Sequence, residues 1–314
     1  MIEIRNLCKS FSGHPVLKDL SLKIPDGSVF GLVGPNGAGK TTTFRIMAGL
    51  LKADSGKILV DGEDIHIGRN RDIVGYMPDF FGVYDKLRVN EYMEFFASIY
   101  NIEGSAARER IQELLSLAGL SQYGDVYVDT LSRGMKQKLC LARCLIHDPR
   151  ILILDEPASG MDPRARIEFR EIIRKLNESG TTILISSHIL TELSHMCSEI
   201  CILHEGSALI SGSISEIEYR LTQKVRLVIR LASGMEKALA VLKEDPLADN
   251  LSYTEGEIYV SYSGSHEEEA ALLSRLMSSG AGVFSFANDR GGLEELFMQI
   301  TGSGEGSREG GNVR

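Results

Sequence analysis

A lysine and a threonine at the end of a glycine-rich segment have the types and spacing needed for chemistry on a phosphate group. The segment GPNGAGKTT, residues 34–42, fits the pattern G-x-x-x-x-G-K-[ST] in full. Gly37 and Gly39 allow backbone N–H groups to curl around phosphate oxygens, and the N-terminus of a following helix adds positive dipole. Lys40 is expected to reach the β- and γ-phosphates of a nucleotide, and the Thr41 hydroxyl to ligate Mg²⁺. The predicted nucleotide ligands of this segment are Gly34, Pro35, Asn36, Gly37, Ala38, Gly39, Lys40, Thr41 and Thr42.

Three further polar residues stand at the ends of apolar runs. Asp155 and Glu156 end the run ILILDEP, and His188 ends ILISSH. Strand ends are where α/β sheets bind their ligands, so Asp155 is expected to hold Mg²⁺, directly or through water. Glu156 would orient or deprotonate an attacking water, a contribution of typically ~10²–10⁴-fold, and His188 would contact the γ-phosphate. An ordinary acidic strand end and a structural histidine are the competing interpretations, and the phosphate segment upstream disfavours both.

A third polar motif, LSRGMKQKL, lies between the phosphate segment and ILILDEP. It opens with Ser132 and Gly134 and continues into a helix-forming run, so it offers a hydroxyl and a bare backbone N–H at a second helix N-terminus. Such a helix end suits a phosphate, but residues 34–42 of the same chain already surround one. The motif is therefore expected to bind the ATP that another copy holds, in a closed two-fold arrangement of head-to-tail monomers around two ATPs.

The elements that must position these residues form an α/β pattern. VFGLVG before residue 35, ILILDEP and TTILISSH are apolar runs typical of buried strands, and EICILHEGSALISG indicates a hairpin. TTTFRIMAGLL, directly after the glycine-rich segment, has helical spacing. An incidental glycine-rich turn is disfavoured by this strand–loop–helix context. The sequence predicts a sheet core with a helical subdomain of about 85–150 inserted into it.

Aromatic residues concentrate at the start of that subdomain, in residues 79–100. The apolar spacing there predicts an amphipathic helix, and packing inside the protein is as plausible a use for any one aromatic as contact with a partner. The residues of the helical face are Val89, Tyr92, Met93, Phe96, Ile99 and Tyr100, and the other aromatics are Phe80, Phe81, Tyr84 and Phe95.

A change of pattern near residue 220 indicates a second, small α+β domain over 221–300. The run KVRLVIRL alternates with Val225, Leu227, Ile229 and Leu231 on one face. The following segments predict the order βαββαβ, the ferredoxin-like split pattern. This domain either regulates or dimerises the protein, or only supports the first domain. A last helix is predicted for GGLEELFMQI, and residues 301–314 read as a flexible tail rich in Gly and Ser.

Composition limits the classes of function. The 314 residues carry a net charge of −9, and an acidic chain without basic runs is a poor candidate for nonspecific nucleic-acid binding. Five cysteines include no C-x-x-C pair, so buried reduced thiols, which fit a cytosolic protein, are favoured over a zinc site at Cys140 and Cys144. No apolar run reaches the ~18 residues of a membrane span, and the N-terminus lacks a signal peptide. A partner would have to bring this chain to a membrane.

Over residues 1–220 the chain resembles the nucleotide-binding subunit of ABC (ATP-binding cassette) transporters, with six motifs in order. The resemblance implies a P-loop NTPase cassette that binds ATP and Mg²⁺. It implies that Phe11 stacks on adenine beside Val16 and that LSRGMKQ is the signature motif, which reads the opposite monomer's γ-phosphate. It also implies that Asp162 of the segment SGMD lies at the dimer seam. The cassette partner would be a second copy or a paralogue.

The resemblance further implies a membrane-embedded permease that docks near residues 79–100 and holds the chain at the cytoplasmic side of the cell membrane. The ending GGLEELFMQITG is similar to that of cassette subunits serving bacterial export permeases. Three positions depart from the family pattern. Asp79 replaces a glutamine that contacts Mg²⁺ and water and relays closure, and it is expected to keep that role because aspartate also ligates Mg²⁺. Arg133 and Met135 stand where Gly and Gln are commoner, and Ala158 replaces a common Thr.

These features together predict an ATP-hydrolysing motor subunit that drives a separate permease, with export favoured over import. Two alternatives stay open. A soluble ABC ATPase of translation or DNA repair would share the motifs, but the chain has one cassette, no heptad array and no basic patch. A non-hydrolysing regulatory module is disfavoured by Glu156 and His188.

Overall fold

The computed structural model describes residues 1–66, 70–80, 86–221 and 225–289. The chain divides into two compact units, Met1–Ile214 and a second that begins at Ser215. The predicted helix in GGLEELFMQI, the tail 301–314 and the aromatics Phe81 and Tyr84 lie outside the described residues.

The first unit contains an antiparallel sheet in the order β2-β1-β4-β5. Its strands are β1 Ile2–Phe11, β2 His14–Ile24, β4 Ser55–Val60 and β5 Glu63–Asp64. One face is apolar and buried, as in Leu20, Leu22 and Ile24 of β2. This period of two is what a sheet with one solvated face requires. The buried face packs against the second sheet of the unit.

The central sheet has the order β10-β9-β3-β8-β7-β6. Its strands are β3 Val29–Val33, β6 Val74–Met77, β7 Ile151–Leu154, β8 Thr182–Ser187, β9 Glu199–His204 and β10 Ser207–Ser213. All but β10 run parallel to their neighbours. Every residue of β3, β7 and β8 is buried, because helices and the other sheet cover both faces. The predicted mixed sheet and the β9–β10 hairpin are confirmed.

Parallel pairing fixes where the polar strand ends lie. β3 leads into the glycine-rich segment, β7 into Asp155 and Glu156, and β8 into His188. Since β3, β8 and β7 are neighbours and point the same way, their carboxyl ends meet at one edge of the sheet. The three predicted groups of chemically useful residues are therefore brought together by strand order alone.

Three helices occupy the stretch between β6 and β7 and pack on one another. The helices of the first unit are α1 Lys40–Met47, α2 Val89–Ile99, α3 Gly104–Leu117, α4 Arg133–Cys144, α5 Pro163–Glu178 and α6 Leu190–Ser194, with 3-10 turns at Asn70–Ile73, Ser121–Tyr123 and Val128–Thr130. The predicted apolar face of α2 divides in two. Val89, Tyr92 and Met93 are buried, whereas Ile99 and Tyr100 are exposed, so three of the six residues of the predicted face are buried.

The second unit has the predicted element order βαββαβ. After α7 Ile214–Leu221, it contains β11 Val225–Ser233, α8 Met235–Glu244, β12 Ala248–Thr254, β13 Glu257–Tyr262, α9 His266–Ser278 and β14 Gly282–Asp289. The sheet is antiparallel in the order β12-β13-β11-β14. Leu227 and Ile229 are fully buried, as the alternation in β11 predicts, and they form a core with Leu272 and Leu276 of α9.

All five cysteines are free thiols. Cys140, Cys144, Cys197 and Cys201 are buried, and Cys8 is partly exposed. Burial raises the pKa of Cys197, and it raises the pKa of Cys201 to about 12. Cys140 and Cys144 are thus buried free thiols, as the sequence predicts.

Two of the hairpin turns in the first unit differ in how closely they pack, and this difference can be tested. Gly206 between β9 and β10 and Gly13 between β1 and β2 have nearly the same left-handed φ, +83° and +82°. A Cβ on Gly206 would lie 2.3 Å from the Val16 carbonyl oxygen, whereas a Cβ on Gly13 would meet nothing within 4 Å. We expect Gly206→Ala to lower the free energy of unfolding by about 1–3 kcal/mol more than Gly13→Ala, the usual cost of overpacking. Urea unfolding of both variants measures the difference, and equal losses would contradict it.

Candidate functional site

The glycine-rich loop after β3 borders a pocket of about 410 Å³ at the carboxyl edge of the central sheet. Two glycines are required by close approach. A Cβ on Gly34 would lie 2.3 Å from the Leu203 carbonyl oxygen, and one on Gly39, at φ +107°, would lie 2.6 Å from Leu17 Cδ2. Only glycine fits at these positions, so the loop can lie tightly against β9 and β2. The pocket is lined by Val16, Asn36, Gly37, Ala38, Gly39, Lys40, Thr41, Thr42, Asp79, Glu156, Ser159 and His188.

The Lys40 ammonium is held inside this pocket. The side chain is only 6% exposed, and Nζ donates to the carbonyl oxygens of Gly34 at 2.7 Å and Pro35 at 3.3 Å. Nζ also lies 3.4 Å from Glu156 Oε1. A buried ammonium is costly unless it is paired. These oxygens pair the ammonium within the protein, and a phosphate in the pocket would offer it stronger anionic partners.

Asp155 has one satisfied and one unsatisfied carboxylate oxygen. The residue is 1% exposed, and Oδ1 accepts a hydrogen bond from Ser186 Oγ at 2.7 Å. Among the described residues Oδ2 has no hydrogen-bond partner. Burial raises the pKa of Asp155, while hydrogen bonds from Ser186 and Thr41 act in the opposite direction. A buried, unpartnered carboxylate oxygen beside a threonine hydroxyl is the hard oxygen donor set that Mg²⁺ takes, so these residues fit the predicted metal.

Glu156 and His188 are joined across the ends of β7 and β8. His188 Nδ1 lies 2.9 Å from Glu156 Oε2. Glu156 has a left-handed φ of +48°, an uncommon conformation for a glutamate. Its N–H donates to Ser186 Oγ at 2.9 Å, so one serine orients both acidic residues. Sequence reasoning missed Ser186, although its place two residues before His188 at the end of a strand was a usable signal.

Not every predicted site residue lines this pocket. Val16 and Asp79 do. Phe11 does not: it is exposed, and Lys9 Nζ lies 5.5 Å from the centre of its ring. Ser132, Gly134 and Asp162 lie away from the pocket. Ser132 accepts from Met135 N as the N-cap of α4, and Asp162 accepts from Ala165 N as the N-cap of α5.

A glycine loop between a buried parallel strand and a helix, with a buried lysine and two acidic residues facing it, defines a P-loop nucleotide-binding protein. The chain belongs to the ABC transporter family, whose sequence profile matches residues 17–159. The Nod factor export ATP-binding protein I of Ralstonia nicotianae is 33% identical over 306 residues, covering 96% of this chain and 94% of that protein. The linearmycin resistance ATP-binding protein LnrL of Bacillus subtilis is 29% identical over 306 residues, 96% and 98% of the two chains.

Solved structures agree with this assignment. The ATP-binding subunit of an ABC transporter superposes with a TM-score of 0.64 at 28% identity over 71% of this chain and 93% of that chain. The cassette MJ0796, bound to ADP and Pi, gives a TM-score of 0.62 at 24% identity over 68% and 99%, which supports the fold. The predicted family and cassette fold are confirmed, and the chain is an ATP-hydrolysing, ATP-binding subunit of an ABC transporter. The matches give no support to the soluble alternative. None of the helices in the described ranges has the length and apolar character to cross a bilayer.

The unsatisfied Asp155 carboxylate should lower the stability of the nucleotide-free protein. Because its folded-state pKa is raised, its contribution to stability is fully present below the unfolded pKa and is lost as pH rises through the folded one. With chelator present we expect Asp155→Asn to raise the free energy of unfolding at pH 7 by about 1 kcal/mol, since a neutral amide avoids the desolvation of a buried charge, which costs at least that much. The gain should shrink as the pH falls through the raised folded-state pKa of Asp155. Thermal unfolding at several pH values measures it.

Asp54→Asn is the control of opposite sign. A hydrogen bond from Lys9 lowers the pKa of Asp54, and this carboxylate is exposed. The stability it contributes is present above its unfolded pKa and is lost as pH falls through the folded one, so Asp54→Asn should destabilise at pH 7. A loss of stability in Asp155→Asn at pH 7 would contradict the cost assigned to this carboxylate.

Proposed function

We propose that this chain is the motor subunit of an export-type ABC transporter, in which Glu156 activates the water that hydrolyses ATP. The observation that carries the proposal is the position of the Glu156 carboxylate between two pocket residues. Its Oε1 lies 3.4 Å from Lys40 Nζ and its Oε2 lies 2.9 Å from His188 Nδ1. Export is proposed because relatives similar over nearly the whole chain carry names of export and resistance systems.

The two contacts of Glu156 suggest the order of events in ATP hydrolysis. When ATP enters, Lys40 is drawn from Glu156 Oε1 to the phosphate oxygens, because phosphate carries more charge. Oε1 is then free to accept a hydrogen bond, and later a proton, from the attacking water. His188 keeps Oε2 in place and reaches the γ-phosphate. Thr41, Asp155 and Asp79 would hold Mg²⁺, which would supply positive charge against the negative charge that develops on the phosphate.

The second half of the nucleotide site would come from another cassette. Ser132 and Gly134 lie away from the pocket of their own chain, at the start of α4, where Ser132 is exposed and Gly134 is buried. The Ser132 hydroxyl at this helix N-terminus would meet a partner's γ-phosphate, and a shift of α5 away from Gly134 would open the Gly134 N–H to it. Phe11 and Val16 would hold the adenine, and Asp162 would lie at the seam. A second copy or a paralogue satisfies the same geometry. Closure around two ATPs is a population shift driven by tighter binding in the closed state.

The permease is proposed to dock on an exposed apolar surface of the helical subdomain. This docking surface consists of Phe80, Phe95, Ile99 and Tyr100, all exposed, with Phe80 reaching 88%. Phe95 and Ile99 are one turn apart on α2, and grouped exposed apolar side chains mark interaction sites. Asp79 lines the nucleotide pocket while the adjacent Phe80 belongs to the docking surface, so this pair of residues can relay closure to the permease. The chain would thereby work at the cytoplasmic side of the membrane.

Glu156→Gln tests the catalytic proposal. The amide keeps the size of the side chain but cannot accept the proton, so ATPase activity should fall by at least about 10²-fold, while ATP binding persists. The variant should then accumulate as an ATP-bound dimer in size-exclusion chromatography with light scattering. Glu171→Gln, which alters an exposed partner of Arg174, is the control and should keep wild-type activity. A monomeric Glu156→Gln in saturating ATP would count against the sandwich.

The docking surface can be tested by affinity purification from gently solubilised membranes. The tagged protein should recover a polytopic membrane protein, identified by mass spectrometry. Phe80→Ser and Phe95→Ser should lose it, whereas Tyr253→Ser, an exposed aromatic of the second unit, should retain it. In the purified complex, Asp79→Ala should reduce stimulation of ATPase by the permease. Recovery of ribosomal or DNA-bound proteins in place of a permease would favour the soluble alternative.

A further inference from the structure

An ion pair outside the nucleotide pocket links the segment that carries His188 to the start of α5. Arg166 Nη1 lies 2.9 Å from Glu192 Oε1. Arg166 lies one turn into α5 from its N-cap Asp162, and Glu192 lies in the first turn of α6, one turn after His188. The pair therefore joins two short segments, each of which the sequence predicts to act in the ATPase cycle.

Each partner makes a second contact to the loop beside it. Arg166 Nη2 donates to the Met161 carbonyl oxygen at 3.2 Å, within the segment SGMD, residues 159–162. Glu192 Oε2 accepts from Ser187 Oγ at 3.1 Å, and Ser187 Oγ accepts in turn from Ile189 N at 3.0 Å. The residues on both sides of His188 are thus fixed by one serine that Glu192 holds, and the SGMD segment is fixed by the same arginine.

The environment of this pair makes it stronger than an ordinary surface contact. The Glu192 side chain is only 13% exposed, and the planar guanidinium uses two nitrogens for two different oxygens, which fixes its orientation. The pair Arg164–Glu168 on the same helix gives a contrast. Arg164 is 90% exposed and reaches Glu168 at 3.3 Å within one turn, a geometry worth little in water.

The SGMD segment is also held from the side of the signature motif. A Cβ on Gly160, at φ +69°, would lie 2.3 Å from Arg133 Cζ. The Arg133 guanidinium, from the motif LSRGMKQ, therefore lies against the bare Cα of Gly160. A Cβ on Gly134 would lie 2.9 Å from Ala165 Cβ, so the first turns of α4 and α5 are in direct contact. The segment is enclosed between the start of α4 and Arg166.

We infer that Arg166 and Glu192 are positioning residues that fix His188 against Glu156 and make that position depend on the SGMD segment. The inference rests on the proposed roles of Glu156 and His188. A displacement of residues 159–162, such as contact with another cassette would cause, moves the Met161 carbonyl and with it Arg166. Glu192 and Ser187 follow, and the His188 Nδ1–Glu156 Oε2 contact is made or lost with them. His188 therefore contacts Glu156 only when residues 159–162 hold Arg166 in its observed position.

The test is steady-state ATPase kinetics of the purified full-length chain. Glu192→Gln should weaken the link, because the neutral amide removes the charge that pairs with Arg166 and has an acceptor oxygen at only one of the two positions that Oε1 and Oε2 occupy. Arg166→Met keeps the bulk of the stem and removes both donors. We expect each change to lower kcat by about 10-fold to 10²-fold, the usual effect of misplacing a reacting group. KM for ATP should change less than about twofold, since the loop 34–42 is not touched.

Three further variants separate a broken link from a general loss of structure. Arg164→Met, the matched control on the same helix, should leave kcat and KM unchanged. The double variant Arg166→Met/Glu192→Gln should have the kcat of the lower single variant, because both changes break one link. Ser187→Ala removes the donor to Glu192 without changing any charge and should lower kcat in the same way, which provides a test even where Arg166→Met folds poorly.

The opposite results would overturn the inference. These are wild-type kcat in Glu192→Gln and Ser187→Ala, single effects that multiply in the double variant, or a fall in kcat that comes with raised KM and lowered melting temperature, as a structural role gives. Failure of the proposed function is distinguishable, because Glu156→Gln would then retain full hydrolysis. An inactive Glu156→Gln beside a fully active Glu192→Gln would reject the positioning role alone.

Discussion

The buried Lys40 ammonium is the group around which the rest of the first unit is arranged. It is nearly excluded from water, and its partners are two carbonyl oxygens of its own loop and the carboxylate of Glu156. A charge in such a position must be paired, so the loop has to curl back on the lysine and β7 has to end within reach of it. Parallel pairing of β3, β8 and β7 meets both demands. At the end of β7, Asp155 keeps one carboxylate oxygen without a hydrogen-bond partner among the described residues, so the site suits a polyanion with its metal.

Strand order and loop chemistry could be predicted from the sequence because each has a local signature. The residues ILIL before Asp155 are apolar throughout, as in strands that are covered on both faces. The left-handed φ values observed at Gly37 and Gly39 are ones that favour glycine, which explains the glycine pattern of the loop. Ser186 was missed because a serine in a strand is ordinary. Its two bonds, to Asp155 and Glu156, depend on the neighbouring strand. The link from Arg166 to Glu192 was missed for the same reason: the two residues are distant in sequence, and only the packing of α5 beside α6 brings them together.

The aromatic segment 79–100 shows where sequence reasoning reaches its limit. Helical spacing identified α2. It could not distinguish a face that packs inside the protein from a face that binds a partner, since both are apolar. On α2, Tyr92 is fully buried and Ile99 is exposed, and that difference depends on where α3 and α4 pack against the helix. In the second unit, alternation in β11 identified the buried residues, whereas the pairing order β12-β13-β11-β14 follows from contacts between distant segments.

The burial of four of the five thiols makes this protein well suited to site-directed spectroscopy. A thiol reacts through its thiolate, and burial suppresses that form at Cys197 and Cys201 by raising their pKa. A hydrogen bond with Cys140 lowers the pKa of Cys144 to about 7, so Cys144 is protected from a reagent by its burial alone. Only Cys8, on β1, competes with an introduced label. If Cys8 is replaced, a cysteine introduced at a chosen surface position is the one accessible thiol. A spin label or fluorophore attached there then gives the signal of that position alone. Distances between two cassettes could then be followed through nucleotide binding and release without rebuilding the interior of the chain.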